Sequence, residues 1–283
     1  MGTVHAGRHA APIQPVDAGD FGDARALIQL VHDRCGISLG EHKRELIGAR
    51  LGKRLHRLGL RTYAEYVRHV ERDGTGEELT ILIDAITTNH TSFFREPQHF
   101  TLLAERVLPE LAARRTGPLT GWSAACSSGE EPYTIAVAAL EAGYHQVRLL
   151  ASDISTRVLA KARQGVYPLE RVEGLPRDLL KRHFEKGLGA QEGLARVAAP
   201  VRQMVEFRAL NLLEITSLNR SFDFIFCRNV MIYFDKSTQQ RVVAMLERHL
   251  SPGGYLFIAH SESLNGVRHG LQWVAPAVYR RRV

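Results

Sequence analysis

Phe222-Asp223-Phe224-Ile225-Phe226-Cys227-Arg228-Asn229-Val230-Met231-Ile232-Tyr233-Phe234 is the stretch from which the rest of the chain is read. An apolar run suited to a buried strand ends abruptly in an Arg-Asn pair. Open α/β sheets hold their ligands in the crevice beyond the carboxyl ends of the strands. A buried strand alone requires neither Arg228 nor Asn229, so the run predicts a strand over Phe222–Cys227 with a polar site at its end.

Working outward, Leu119–Ala125, Val147–Ala151, Val205–Leu210 and Tyr255–His260 also read as strands. Helical patterns over Gln98–Arg114, Glu131–Glu141, Ser155–Gln164 and Ser237–Leu250 separate or flank them, the last closing at Pro252-Gly253-Gly254. Such alternation predicts βαβ units and a mostly parallel sheet, with Trp273–Arg280 as a final antiparallel edge strand. Tyr167–Gln203 is too long for a plain connection. Its glycines (Gly187, Gly189, Gly193), with Val197 and Val201, predict a small β excursion.

Upstream the pattern is helical: Ala24–Cys35, Glu41–Leu58, a helix capped by Thr62 with Glu65 completing a capping box, and Glu77–Thr88. The expected fold class is therefore α/β: a Rossmann-like domain over residues 91–283 with a β-subdomain insertion at about 167–203, preceded by an all-α domain over 21–90. Residues 1–20 read as a flexible tail.

The 283 residues carry a net charge of +7 and 45% hydrophobic content, an ordinary globular composition with a bias toward an acidic partner. No apolar stretch approaches the roughly 20 residues of a membrane span. The first residues lack the apolar core of a signal peptide, and Ala6 stands where myristoylation needs Ser or Thr, so a cytoplasmic location without membrane insertion is expected. Cys35, Cys126 and Cys227 are far apart, and the 13 histidines show no His-x-x-x-His or similar ligand spacing next to acids, so neither disulfides nor a metal site are expected.

Three segments carry candidate chemistry. Trp122–Tyr133 joins the first strand to its helix through small residues, without the Gly-x-Gly-x-x-Gly of a dinucleotide site or the Lys-Ser/Thr of a P-loop. Glu130 and Glu131 suit a helix dipole, and equally a ligand that bears positive charge and lacks phosphate. Asp153 ends the second strand, where an acid grips a ribose diol; Ser155 can supply the helix cap instead. An acid for a ribose without a phosphate loop points to S-adenosylmethionine rather than NAD. Thr87–Pro97 is dense in hydrogen-bonding groups, with Phe93 and Phe94 suited to a core and Arg95 able to pair with a carboxylate.

Thr87–Pro97, Trp122–Tyr133, Ala151–Ile154, Asn211–Leu213, Phe222–Phe234 and His260–Ser263 resemble, in order and spacing, the chemotaxis receptor methyltransferases, the CheR family. The likeness spans roughly Phe21 to Arg280. It implies a Rossmann-like S-adenosylmethionine methyltransferase domain. The implied reaction esterifies glutamate side chains on the cytoplasmic domain of methyl-accepting chemoreceptors and leaves S-adenosylhomocysteine. By matching motif, the implied cofactor contacts are Asn89, Thr91, Arg95, Glu131, Asp153, Asn211, Leu212, Arg228 and Asn229. Arg95 and Tyr233 would lie at the methyl.

Ile47, Leu51, Leu55 and Leu58 form an apolar helical stripe beside Arg50, Lys53, Arg54 and Arg57. Those basic residues are a solvated face or, as the resemblance implies, a dock for the acidic receptor bundle. The insertion matches a subdomain with which some members hold a receptor's C-terminal tether peptide by strand addition, and the Gly187-Leu188-Gly189 turn resembles theirs. A monomer that binds no nucleic acid is expected, since no RNA-binding motif accompanies the basic residues. Other readings are an RNA or small-molecule methyltransferase, and a non-catalytic adaptor.

A glutamate carboxylate, with a pKa of about 4.3, is already an anionic nucleophile at neutral pH. No general base is needed, in keeping with the absence of a Ser-His-Asp or Cys-His pattern. Alignment of the reacting groups can supply roughly 7–11 kcal/mol. Arg95 is expected to orient the incoming carboxylate and Tyr233 to shape the methyl's passage.

Overall fold

The computed structural model describes residues 21–39, 44–87, 90–215 and 218–283; the expected tail and Asn89 lie outside them. Four helices open the chain: α1 (Phe21–Cys35), α2 (Arg44–Leu58), α3 (Tyr63–Arg72) and α4 (Glu77–Ile86). The capping box forms as expected. The Thr62 hydroxyl accepts the Glu65 N–H at 3.2 Å, and the Glu65 carboxylate accepts the Thr62 N–H at 3.3 Å. Ile47, Leu51 and Leu55 are buried, with Leu58 packed against them.

The expected helix over 98–114 is present as α5 (Pro97–Leu102), a π-helical turn (Leu103–Val107) and α6 (Leu108–Ala112). Pro109 offers no N–H to Glu105 and its ring crowds that carbonyl, which favours the wider turn just before it.

A sheet follows: β1 (Leu119–Ala124), α7 (Glu130–Glu141), β2 (Val147–Asp153) and α8 (Thr156–Gln164). The insertion holds β3 (Val166–Pro168), α9 (Arg177–His183), β4 (Phe184–Lys186), β5 (Leu194–Val197) and α10 (Ala199–Arg202). The chain then returns through β6 (Val205–Ala209), β7 (Phe222–Cys227), α11 (Lys236–His249), β8 (Leu250–Phe257), β9 (Gln272–Ala275) and β10 (Val278–Arg280). The main sheet runs β6-β2-β1-β7-β8-β10-β9, its first five strands parallel. The chain leaves β1 toward β2 and β6, then crosses to β7 on the other side. That switch point is where a doubly wound sheet opens a binding crevice.

Three local expectations are corrected. Pro252-Gly253-Gly254 does not separate helix from strand but lies within β8, where the β7–β8 register shifts between Phe222 and Phe224. A Cβ on Gly254 would stand 2.9 Å from the Asp223 carbonyl oxygen, so glycine permits this irregular pairing. The single edge strand over 273–280 is a hairpin turning at Pro276-Ala277, with Ala277 at φ 60°; β10 lies inside and β9 forms the edge. The insertion is a three-stranded antiparallel sheet carrying a helix, and Val201 sits in α10 rather than in a strand.

The helical segment has no separate core. Leu27, Leu51, Tyr66 and Leu82 join Trp122, Leu150, Ile225 and Cys227 in one cluster on one face of the sheet. Phe224 and Phe226 point to the other face, among Phe100, Val137 and Tyr255. The strand's period of two thus puts alternate β7 side chains in two cores. Among the described residues no helix is long and apolar enough to cross a membrane.

A Cβ on Gly121 in β1 would meet Phe224 ring atoms at 2.2 and 2.4 Å, whereas one on Gly52 in α2 would meet nothing within 4 Å. Gly121→Ala is therefore expected to destabilise the protein by about 1–3 kcal/mol, and Gly52→Ala to stabilise it by about 0.5–1 kcal/mol. Urea unfolding reads both, and an unchanged midpoint for Gly121→Ala would contradict the packing across β1 and β7.

Candidate functional site

Strand ends and tight loops build the cleft. Beyond β1, Ala125 (φ 63°) and Ser127 (φ 49°) adopt left-handed backbone, and Gly129 (φ 97°) starts α7. Non-glycine residues held this way cost on the order of 1–3 kcal/mol each and gather at functional sites. The Cys126 N–H donates to the Ser152 carbonyl at 2.8 Å, folding the loop over the end of β2. Asp153 then accepts the Ser127 N–H on one carboxylate oxygen and the Ser155 N–H on the other, each at 2.9 Å. Each oxygen keeps a lone pair for a further donor. Burial raises the Asp153 pKa against the pull of these bonds. Ser155 caps α8 by accepting the Val158 N–H, so Asp153 is not needed as the cap.

The adjacent acids point to different partners. Glu131 lines the cleft, accepts the Ser123 hydroxyl at 2.7 Å and pairs with Arg228 at 3.1 Å. Burial outweighs those partners and raises its pKa. Glu130, 1% exposed, turns toward the insertion and pairs with Arg171 at 2.7 Å. Arg171 also donates to the Thr91 carbonyl at 2.8 Å, so Glu130 ties the insertion to the cleft wall.

Arg228, 5% exposed, ends β7 and converges four groups. It donates to Glu131 and, at 2.6 Å, to the Arg95 carbonyl, pairs with Glu96 at 3.0 Å, and lies over the Phe100 ring at 5.6 Å. Next to it Asn229 is left-handed at φ 59°. The Glu262 carboxylate holds the following turn, accepting the N–H groups of Met231 at 2.9 Å and Ala259 at 2.8 Å, with Asn229 and Ile232 also donating. Neither Glu96 nor Glu262 belongs to a motif that assigns it a role. Their one signal was position, beside Arg95 and just past the last parallel strand.

The remaining candidates divide. Arg95 lines the cleft and donates to the His90 carbonyl at 2.9 Å, and Tyr233, Thr91 and Leu212 line it too. Asn211 reaches the wall, but its amide bonds the Arg34 carbonyl at 2.7 Å and the Leu213 N–H at 3.1 Å. Cys35, Ile37 and Ile83 of the helical segment and its connection roof the same cleft. Buried thiols are poor nucleophiles. Burial pushes Cys35 up to about 12 and raises Cys126 and Cys227 well above the usual range.

On α2, Arg54 pairs with buried Glu78 (Nε to Oε1, 2.9 Å), which also accepts the Tyr66 hydroxyl at 2.7 Å. These partners overcome burial and hold the Glu78 pKa low. Arg54 is thus largely committed to the fold, and Arg50 donates to the Ala85 and Thr87 carbonyls, while Lys53 and Arg57 are exposed. Arg50 and Lys53 line a second, open cleft that shares Asp84, Thr87 and His90 with the first. Gly187 and Gly189 flank Leu188, which is 82% exposed at the tip of the insertion.

A family model described as CheR methyltransferase, SAM binding domain, matches residues 89–279, and a second, CheR methyltransferase, all-alpha domain, matches 22–87. Chemotaxis protein methyltransferase 2 of Pseudomonas aeruginosa is 47% identical over 268 residues, covering 92% of this chain and 94% of that protein. The chemotaxis protein methyltransferases of Salmonella typhimurium and Escherichia coli are 44% and 41% identical, covering 86% and 90% of this chain and 84% and 89% of theirs.

Arg228→Ala would leave the largely covered Glu131 and Glu96 without their cation. Such a loss costs about 3–5 kcal/mol. Arg228 now holds the Glu96 pKa below the usual range and opposes the rise of Glu131. Without it both rise above their unfolded values, so the destabilisation is full at neutral pH and shrinks as acid protonates them. Urea unfolding across the acid range reads this, and a pH-independent loss would contradict it.

Proposed function

The chain belongs to the CheR methyltransferase family, and we propose that it transfers the methyl group of S-adenosylmethionine to glutamate side chains of bacterial chemoreceptors. The observation that carries this reading is a cleft at the β1–β7 switch point that sets Asp153 and Glu131 in walls lacking a phosphate loop. Asp153, with lone pairs to spare, suits a ribose diol, and Glu131 suits the cationic part of the same ligand. The small residues Ala125 and Ser127 let main chain approach it. Bound S-adenosylmethionine supplies a methyl group activated by its sulfonium.

The chain's own part is alignment and exclusion of water. Arg95 orients the incoming carboxylate, which needs no base because it is already ionised at neutral pH. Tyr233 borders the methyl's path, and the helical roof keeps bulk water from it. Lys53 and Arg57, with Arg50 at the second cleft, face the acidic receptor helix; Arg54 contributes less, being bound to Glu78. Exposed Leu188, between Gly187 and Gly189, offers a tether peptide an apolar contact beside the small sheet.

With labelled S-adenosylmethionine and receptor-containing membranes, the label is expected on receptor protein and to be released by base, as a carboxyl ester is. Label on RNA, or base-stable label, would contradict the proposal. Arg95→Ala is expected to lower turnover roughly 100-fold through misplacement of the carboxylate, with S-adenosylhomocysteine affinity changed far less. Equal losses in both would remove the orienting role.

A further inference from the structure

Behind the Arg228 pair lies a side-chain cluster that does not line the methyl-transfer cleft. Glu96 stands at the position just before α5 without capping it, His99 follows in the helix's first turn, and His260 comes just after β8. Their spacing in sequence hides the group, since His260 is 161 residues beyond His99. The Glu96 Oε2 atom stands 3.5 Å from His99 Nδ1 and 3.9 Å from His260 Nδ1, and one ligand atom from each residue lies within 4.8 Å of the others.

His99 is the unusual member. Its side chain is 2% exposed, and neither ring nitrogen makes a hydrogen bond of good geometry, although the backbone of Pro276 approaches the ring. At 3.5 Å its Nδ1 is too far from the carboxylate for a hydrogen bond. A buried polar group left unsatisfied calls for an unseen water or ion.

We propose that Glu96, His99 and His260 bind one divalent transition-metal ion of the zinc class, outside the methyl-transfer cleft. Two imidazoles and a carboxylate are ligands of that class, at about 2.0–2.2 Å each, leaving a fourth position for water. Tetrahedral donors at such distances lie about 3.4 Å apart. The 3.5 Å separation already fits, and His260, with 40% of its side chain exposed, must swing inward to close the 3.9 Å one and its separation from His99, which lies within 4.8 Å; its exposure gives the ion an entry path.

The ion would compete for an oxygen that Arg228 also approaches at 3.0 Å. Drawing Glu96 toward the metal weakens one of the contacts that fix Arg228, and with it Glu131 and the Arg95 carbonyl. Metal and S-adenosylhomocysteine therefore oppose each other's binding by the same factor, on the order of 10-fold. This coupling rests on the proposed function, whereas the metal site rests on the three side chains alone.

The test is titration of the full-length purified protein with Co2+ and Zn2+, following the visible absorption of four-coordinate Co2+ and the number of ions bound. One saturable ion per chain is expected, lost in His260→Ala and in His99→Phe and retained in the control His145→Ala. His99→Phe replaces a ring already packed on Phe257 with an apolar one, which guards against a folding artefact. Failure of the wild type to bind, or retention of the ion by both site variants, would overturn the proposal. An ion bound without effect on S-adenosylhomocysteine affinity would overturn the coupling and leave the site standing.

Discussion

The cleft depends on how one buried cation is neutralised. Arg228 sits at the end of β7 with 5% of its surface exposed and spends its guanidinium on Glu131, Glu96 and the Arg95 carbonyl. Those groups come from the start of α7 and from the segment just before α5, so one side chain fixes three elements around the switch point. A buried pair seldom adds net stability, and breaking one is costly. Its value here is positional: it holds Glu131 against the cleft and fixes the backbone that carries Arg95.

The helical segment completes this arrangement by forming a roof rather than a detached module. The Ser38 N–H donates to the Tyr233 carbonyl at 2.7 Å, and Ile37 makes an isolated antiparallel bridge with Phe234. His32 meets Asp235, the cap of α11, at 3.0 Å, and that partner raises the His32 pKa. The connection between α1 and α2 is thus bonded to the turn that carries Tyr233. A partner pressing on the exposed basic residues of α2 would be one short connection from the proposed methyl-transfer centre.

Much of this was legible in the sequence because it is local. The Thr62–Glu65 capping box, the Ser155 cap and the Phe222–Cys227 strand each follow from residues a few positions apart, and the structure holds all three. The expectations that needed correction turn on distant partners. Pro252-Gly253-Gly254 reads as a break, but pairing with β7 draws it into a strand. Glu130 and Glu131 look equivalent until Arg171 and Arg228 arrive from 41 and 97 residues away. Arg54 looks like part of a solvated face until buried Glu78 claims it. Glu96, His99 and His260 show no ligand spacing because their meeting is made by the fold alone.

The central claim is that the cleft at the β1–β7 switch point, with Asp153 and Glu131 in its walls, is where the methyl donor binds. The most direct measurement is a crystal structure of the protein with S-adenosylhomocysteine. The ribose hydroxyls are predicted on the Asp153 carboxylate, with the sulfur facing the side of the cleft formed by Arg95 and Tyr233. A ligand seated outside this cleft, or one whose ribose makes no contact with Asp153, would contradict the account.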